Sequence, residues 1–82
     1  MDVEELVREA VSRATFGVKP TSVVELSTNA MDGRRVFSCS TSVGDCVATF
    51  LPRQHDIHIE GTGHGWFPYD PETGKLITPD FS

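Results

Sequence analysis

The apolar residues of this chain change their period after Pro20. From Val3 to Ala14 they recur every three or four positions (Val3, Leu6, Val7, Ala10, Val11, Ala14), and from Ser22 onward they recur at every second position. The first pattern draws one stripe along a helix and the second draws one face of a β-strand. The segments SVVELSTN, RRVFSCST, DCVATFL and HDIHIEG are rich in β-branched and aromatic residues and are separated by the turn candidates AMDG, SVG and PRQ. The expected fold is therefore α+β, with an N-terminal amphipathic helix on one face of an antiparallel meander of four to six strands.

The helix carries its own boundary signals. Asp2 stands where a cap is needed, with Glu5 three residues on, and Glu4/Arg8 and Glu9/Arg13 are acid-first pairs on the polar face. Gly17 suits a left-handed cap, and Pro20 biases Lys19 toward extended geometry.

Parity tests the strand register. A two-residue turn at Asp32-Gly33 places Val24, Leu26 and Thr28 on one face with Phe37 and Cys39. A turn at Val43-Gly44 or Gly44-Asp45 adds Cys46, Ala48 and Phe50, and one around Arg53-Gln54 adds Ile57 and Ile59. The apolar face so formed is predicted to bury Leu26, Phe37, Ala48, Phe50, Ile57 and Ile59 against Leu6, Val7 and Ala10. Cys39 and Cys46 point inward in this register but are offset along their strands, so they are expected to be free buried thiols.

At 82 residues, one core and one domain (1–82) are expected. The net charge of −5, with basic residues scattered apart from Arg34 and Arg35, disfavours a nucleic-acid partner and favours a basic protein surface. No apolar run approaches the roughly 20 residues that span a bilayer, and MDVEELVREAV is charged where a secretion signal would be apolar. A cytoplasmic, non-membrane protein is expected, and two cysteines fit a reducing compartment.

Several unrelated folds share a helix-and-meander outline, among them cystatin-like sheets, Sm-like barrels and double-stranded-RNA-binding-like sheets, so topology does not select a function. The cystatin glutamine-valine-glycine loop is missing, as is the second helix of the RNA-binding type. YDPETGKLITPD resembles the hairpin repeated in RHS/YD-repeat shells, with its tyrosine-aspartate pair, proline turn, glycine beside a basic residue and later proline-aspartate. That resemblance covers about a dozen residues and implies a hairpin. Asp70 is expected to bond the turn backbone, Pro71 to preset φ and Gly74 to supply positive φ, with Trp66 to Tyr69 running against Lys75 to Thr78.

Gly61, Gly63 and Gly65 do not open a helix, so no phosphate-cradling loop is expected from them. His55 and His58, three apart on a strand, face opposite ways and cannot chelate jointly, which leaves His58 with His64 and Asp56 as the alternative ligand set; no metal or cofactor is expected. On the solvent face, Ser38, Thr49 and His58 are predicted to form a cross-strand row flanked by Asp56 and Glu60, which makes Ser38, His58 and Glu60 the catalytic candidates for a small hydrolase. Arg34, Arg35 and His58 can likewise be assembled into a ribonuclease-like site, against which the net acidity argues. Trp66, Phe67, Tyr69 and His64 are the candidate binding residues, because three aromatics placed after an apparently complete core exceed what one hairpin hides. Trp66 and Pro68 share one strand face, and Phe67 and Tyr69 the other. These residues point first to a protein-binding or regulatory module of inhibitor or adaptor type, then to a hydrolase centred on His58, then to a homodimerising structural subunit.

Overall fold

The helix begins where its cap is. In the computed structural model, which describes residues 1–77, α1 runs Val3–Ala14 and the Asp2 carboxylate accepts from the Glu5 backbone N–H at 3.2 Å. Both predicted pairs close, Arg8 on Glu4 at 3.0 Å and Arg13 on Glu9 at 2.9 Å. The inward stripe Leu6, Val7, Ala10, Val11 and Ala14 is buried.

Among the described residues seven strands follow: β1 (Ser22–Thr28), β2 (Arg35–Thr41), β3 (Gly44–Leu51), β4 (Asp56–Gly61), β5 (Gly65–Trp66), β6 (Tyr69–Asp70) and β7 (Lys75–Leu76). The first five form one antiparallel sheet in the order β1-β2-β3-β4-β5, and β6 with β7 form a separate hairpin. The protein is α+β, with α1 lying over β3 and β4 and against β7. Phe37, Ala48, Phe50, Ile57 and Ile59 are buried under it, as the parity argument requires.

Leu26 is the exception. It is 60% exposed rather than buried. The hairpin departs from expectation twice, and only the second departure changes the face. The β1–β2 connection is not a two-residue turn: it runs from Asn29 to Arg34, closed by Asn29 N–H to Arg34 O and Gly33 N–H to Asn29 O, with the Asn29 side chain accepting from Met31 N–H. A β-bulge between Glu25 and Ser27 then inserts Leu26 as an extra residue. Because side chains alternate with period two, one inserted residue exchanges the faces of everything before it. Val23 and Glu25, not Val24 and Leu26, therefore stand opposite Cys39 and Phe37.

Glu25 occupies a core-face position that α1 does not reach, and an ion pair closes that end. Arg35 donates to Glu25 through Nε and an η nitrogen at 2.7 and 2.9 Å, while its guanidinium sits 5.3 Å from the centre of the Phe37 ring. Together with a hydrogen bond from Thr28, Arg35 holds the Glu25 carboxyl at about 2, far below its ordinary 4.5. Charge-assisted forks of this kind favour the ionised acid directly.

The β2–β3 turn is Ser42-Val43, one residue before the first expected position and two before the second, with Thr41 opposite Gly44. Parity survives, but Cys39 and Cys46 stand directly opposite one another instead of offset. Both are free and buried.

The C-terminal segment also departs from expectation. Trp66 belongs to β5 and pairs with His58 of β4, rather than forming a hairpin with Lys75 to Thr78. The ladder continues as Phe67 and Ile57 exchange backbone hydrogen bonds and Tyr69 N–H reaches His55 O. Tyr69 then faces Leu76, and Asp70 faces Lys75. The turn is built as the residues suggest, with the Asp70 carboxylate accepting from Glu72 N–H at 2.8 Å and Gly74 at φ 69°. Thr78 and the PD pair of the RHS-like stretch lie outside the described residues.

Candidate functional site

Alternation along 66–69 sorts the aromatics. Phe67 and Tyr69 turn inward and Trp66 turns out, because successive strand residues point to opposite faces. Tyr69 is buried and stacks on Phe50 with ring centres 5.2 Å apart, and Phe67 is half-buried against the same cluster. The core is thus not complete before Gly61, since Tyr69 and Leu76 are part of it. Tyr69 is consequently no surface residue, and Phe67 offers only part of a ring. Trp66 remains 56% exposed.

The outer sheet face around Trp66 can be read off the register. One row crosses all five strands as Ser27, Val36, Thr49, His58 and Trp66, and the next carries Val24, Ser38, Val47 and Glu60. His58 supports the indole, ring centres 4.3 Å apart, and its Nε2 lies 3.8 Å from a Glu60 carboxylate oxygen. On the same face Val47 is exposed on β3, two strands from Trp66, and Val24 is exposed on β1 at the far edge. Among the described residues, α1 and the buried Tyr69 and Leu76 of the β6–β7 hairpin pack on the opposite face of the sheet.

The catalytic candidates do not assemble. Thr49 is directly opposite His58, but Ser38 pairs with Val47, one row away and two strands distant. Two strand spacings are roughly 10 Å, well beyond the hydrogen-bond reach that a nucleophile and its base require. One surface depression lies between α1 and Lys19-Pro20 and another on the outer face at Ser27, Val36 and Thr49, one strand from His58, and neither is lined by His58. Arg34 and Arg35 diverge as well, since Arg35 is committed to Glu25 on the opposite sheet face. Among the described residues, no three His, Cys, Asp or Glu side chains converge as metal ligands.

The glycine run serves packing. A Cβ on Gly63 would stand 2.5 Å from the Ala14 carbonyl oxygen, and one on Gly61 would meet the β3 backbone at Asp45 and Cys46. Only glycine lets the β4–β5 loop pass this close to the helix end. His64 follows in that loop and is exposed.

This contact brings the loop to a residue that sequence reasoning passed over. Phe16, two positions after Ala14, is 98% exposed and has φ 59°, in the left-handed region. Thr15 is the C-cap, and the bonds Phe16 N–H to Arg13 O and Gly17 N–H to Ser12 O make Phe16 itself the left-handed residue of the helix stop. Gly17 is left-handed too, but one position later than the cap needs. A signal was present: continuing the helical period puts Phe16 opposite the buried stripe.

No family model, characterised protein or solved structure shows detectable similarity to this chain. Among the described residues, no helix is long and apolar enough to cross a membrane.

Proposed function

We propose that this chain is a small acidic protein-binding module, of inhibitor or adaptor type, that acts in the reducing cytoplasm. The observation that carries the reading is Trp66: a half-exposed indole on the edge strand β5, braced on His58, on the outer sheet face that also carries the exposed valines Val47, two strands away, and Val24, on β1. A braced ring loses little entropy on contact, and exposed tryptophan is among the residue types most enriched at interface hot spots. Glu60, 72% exposed at its side chain, gives this face an acidic edge, and the net charge of −5 extends that field. The matching partner surface is a protein face with an apolar centre and basic rim, and association should weaken with salt. Phe16, where α1 ends, and His64, in the β4–β5 loop, are further exposed side chains.

Affinity capture with the purified protein tests this. Trp66→Ala should leave the melting temperature nearly unchanged and abolish the partners that the wild type retains. Retention of the same partners by the variant overturns the proposal. Self-association that disappears in Trp66→Ala would identify the partner as a second copy of the chain.

A further inference from the structure

Cys39 and Cys46 are core residues that the strand register sets directly opposite one another. They are direct cross-strand partners on β2 and β3, side chains on the same face, 0% and 1% exposed beneath the helix. Directly opposed residues of an antiparallel pair have Cα atoms roughly 4.5 to 5.5 Å apart, inside the range of about 4.4 to 6.8 Å that disulfides occupy. The connection is a two-residue turn with an intact ladder on both sides of the pair, so the strands hold this opposition.

We infer that Cys39 and Cys46 are a latent cross-strand disulfide, open in reducing surroundings and closed by thiol-disulfide exchange with a small disulfide of the glutathione class. In the first step the Cys39 thiolate attacks one sulfur of the small disulfide, and one small thiolate leaves. Cys46, as thiolate, then attacks Cys39 Sγ in the mixed disulfide and expels the second. The two cysteines are oxidised by two electrons, the small disulfide is reduced to two thiols, and the two protons end on those thiols. Burial, with Cys46 adding to it, pushes the Cys39 thiol up to about 11. Exchange in the folded protein therefore proceeds through transient opening of the helix from the sheet, and the closed form is reached slowly.

Accessibility and geometry are separated by closing the bond first in the unfolded chain. Protein oxidised in urea with glutathione disulfide is isolated as the monomer lacking two hydrogens, the urea is removed, and its unfolding midpoint is compared with that of the reduced protein. The geometry predicts that the oxidised chain refolds to the same far- and near-ultraviolet circular dichroism and unfolds cooperatively at a midpoint as high as the reduced form or higher. By linkage, the folded sheet then favours the bond by the same factor. A lower midpoint, or an oxidised chain that fails to regain the native spectrum, overturns the inference. Cys46→Ala, taken through the same oxidation, should stop at the glutathione adduct, and closure to any species without glutathione would overturn it equally.

Discussion

Replacing Phe16 with glycine should make the protein more stable and worse at its work. The residue sits at φ 59° with its side chain 98% exposed, so the substitution removes no burial. An L-residue in the left-handed region costs about 1 to 2 kcal/mol, which glycine does not incur. Glycine brings back about 0.5 to 1 kcal/mol through the greater freedom of its unfolded chain. The net gain is about 0.5 to 1 kcal/mol, and for a domain of this size a kilocalorie moves the midpoint by about 4 to 8 °C. A thermal melt followed by circular dichroism should therefore rise by about 2 to 8 °C. Strain tolerated at an exposed aromatic is a mark of function, so partner capture should fall in the same variant. A melting temperature that drops refutes the cap argument, because it would require the ring to be packed. A rise with undiminished capture removes Phe16 from the contact surface.

Other substitutions probe the frame that holds this face. Phe37→Ala empties a core position that is 3% exposed and should cost about 3 to 5 kcal/mol, much of the stability of a small domain, as read from urea unfolding. Gly63→Ala drives a methyl toward the Ala14 carbonyl and should cost about 1 to 3 kcal/mol by the same assay. Glu25→Gln tests the ion pair through pH: the folded carboxyl is depressed to about 2 from 4.5, so its stabilisation is present above pH 4.5 and is lost as pH falls toward 2. The variant should melt below the wild type at neutral pH and converge with it near pH 2, and a constant gap across that range would show that the pair is not the cause.

The fold was legible where the sequence repeated its message. The helix had a cap, two charge pairs and an unbroken stripe, and the Arg53-Gln54 turn gave the register of β3 and β4 correctly, with Leu51 opposite Asp56. The failures fall at one inserted residue, which changes parity, and at turn positions, which move the register by two and keep it. Nothing in TSVVELSTN marks a bulge, since Leu26 is neither glycine nor asparagine, and Asp32-Gly33 resembled a tight turn while Asn29 organised a longer loop. The site divides in the same way. Alternation along 66–69 separates Trp66 from Phe67 and Tyr69, but pairing Trp66 with His58 depends on a long-range contact through the glycine loop that no local pattern reports. Ser38 missed the His58 row because a register shift of two residues keeps the face and moves the neighbour.

The central claim is that Trp66 is held out of the core for contact, and the protein reports on this itself, because Trp66 is its single tryptophan. Acrylamide quenching of its fluorescence should show a solvent-accessible ring in the free protein, unchanged on dilution, and a shielded, blue-shifted ring once a captured partner is added in excess. A ring already shielded in the dilute monomer, or one that stays fully quenchable in the complex, would contradict the account.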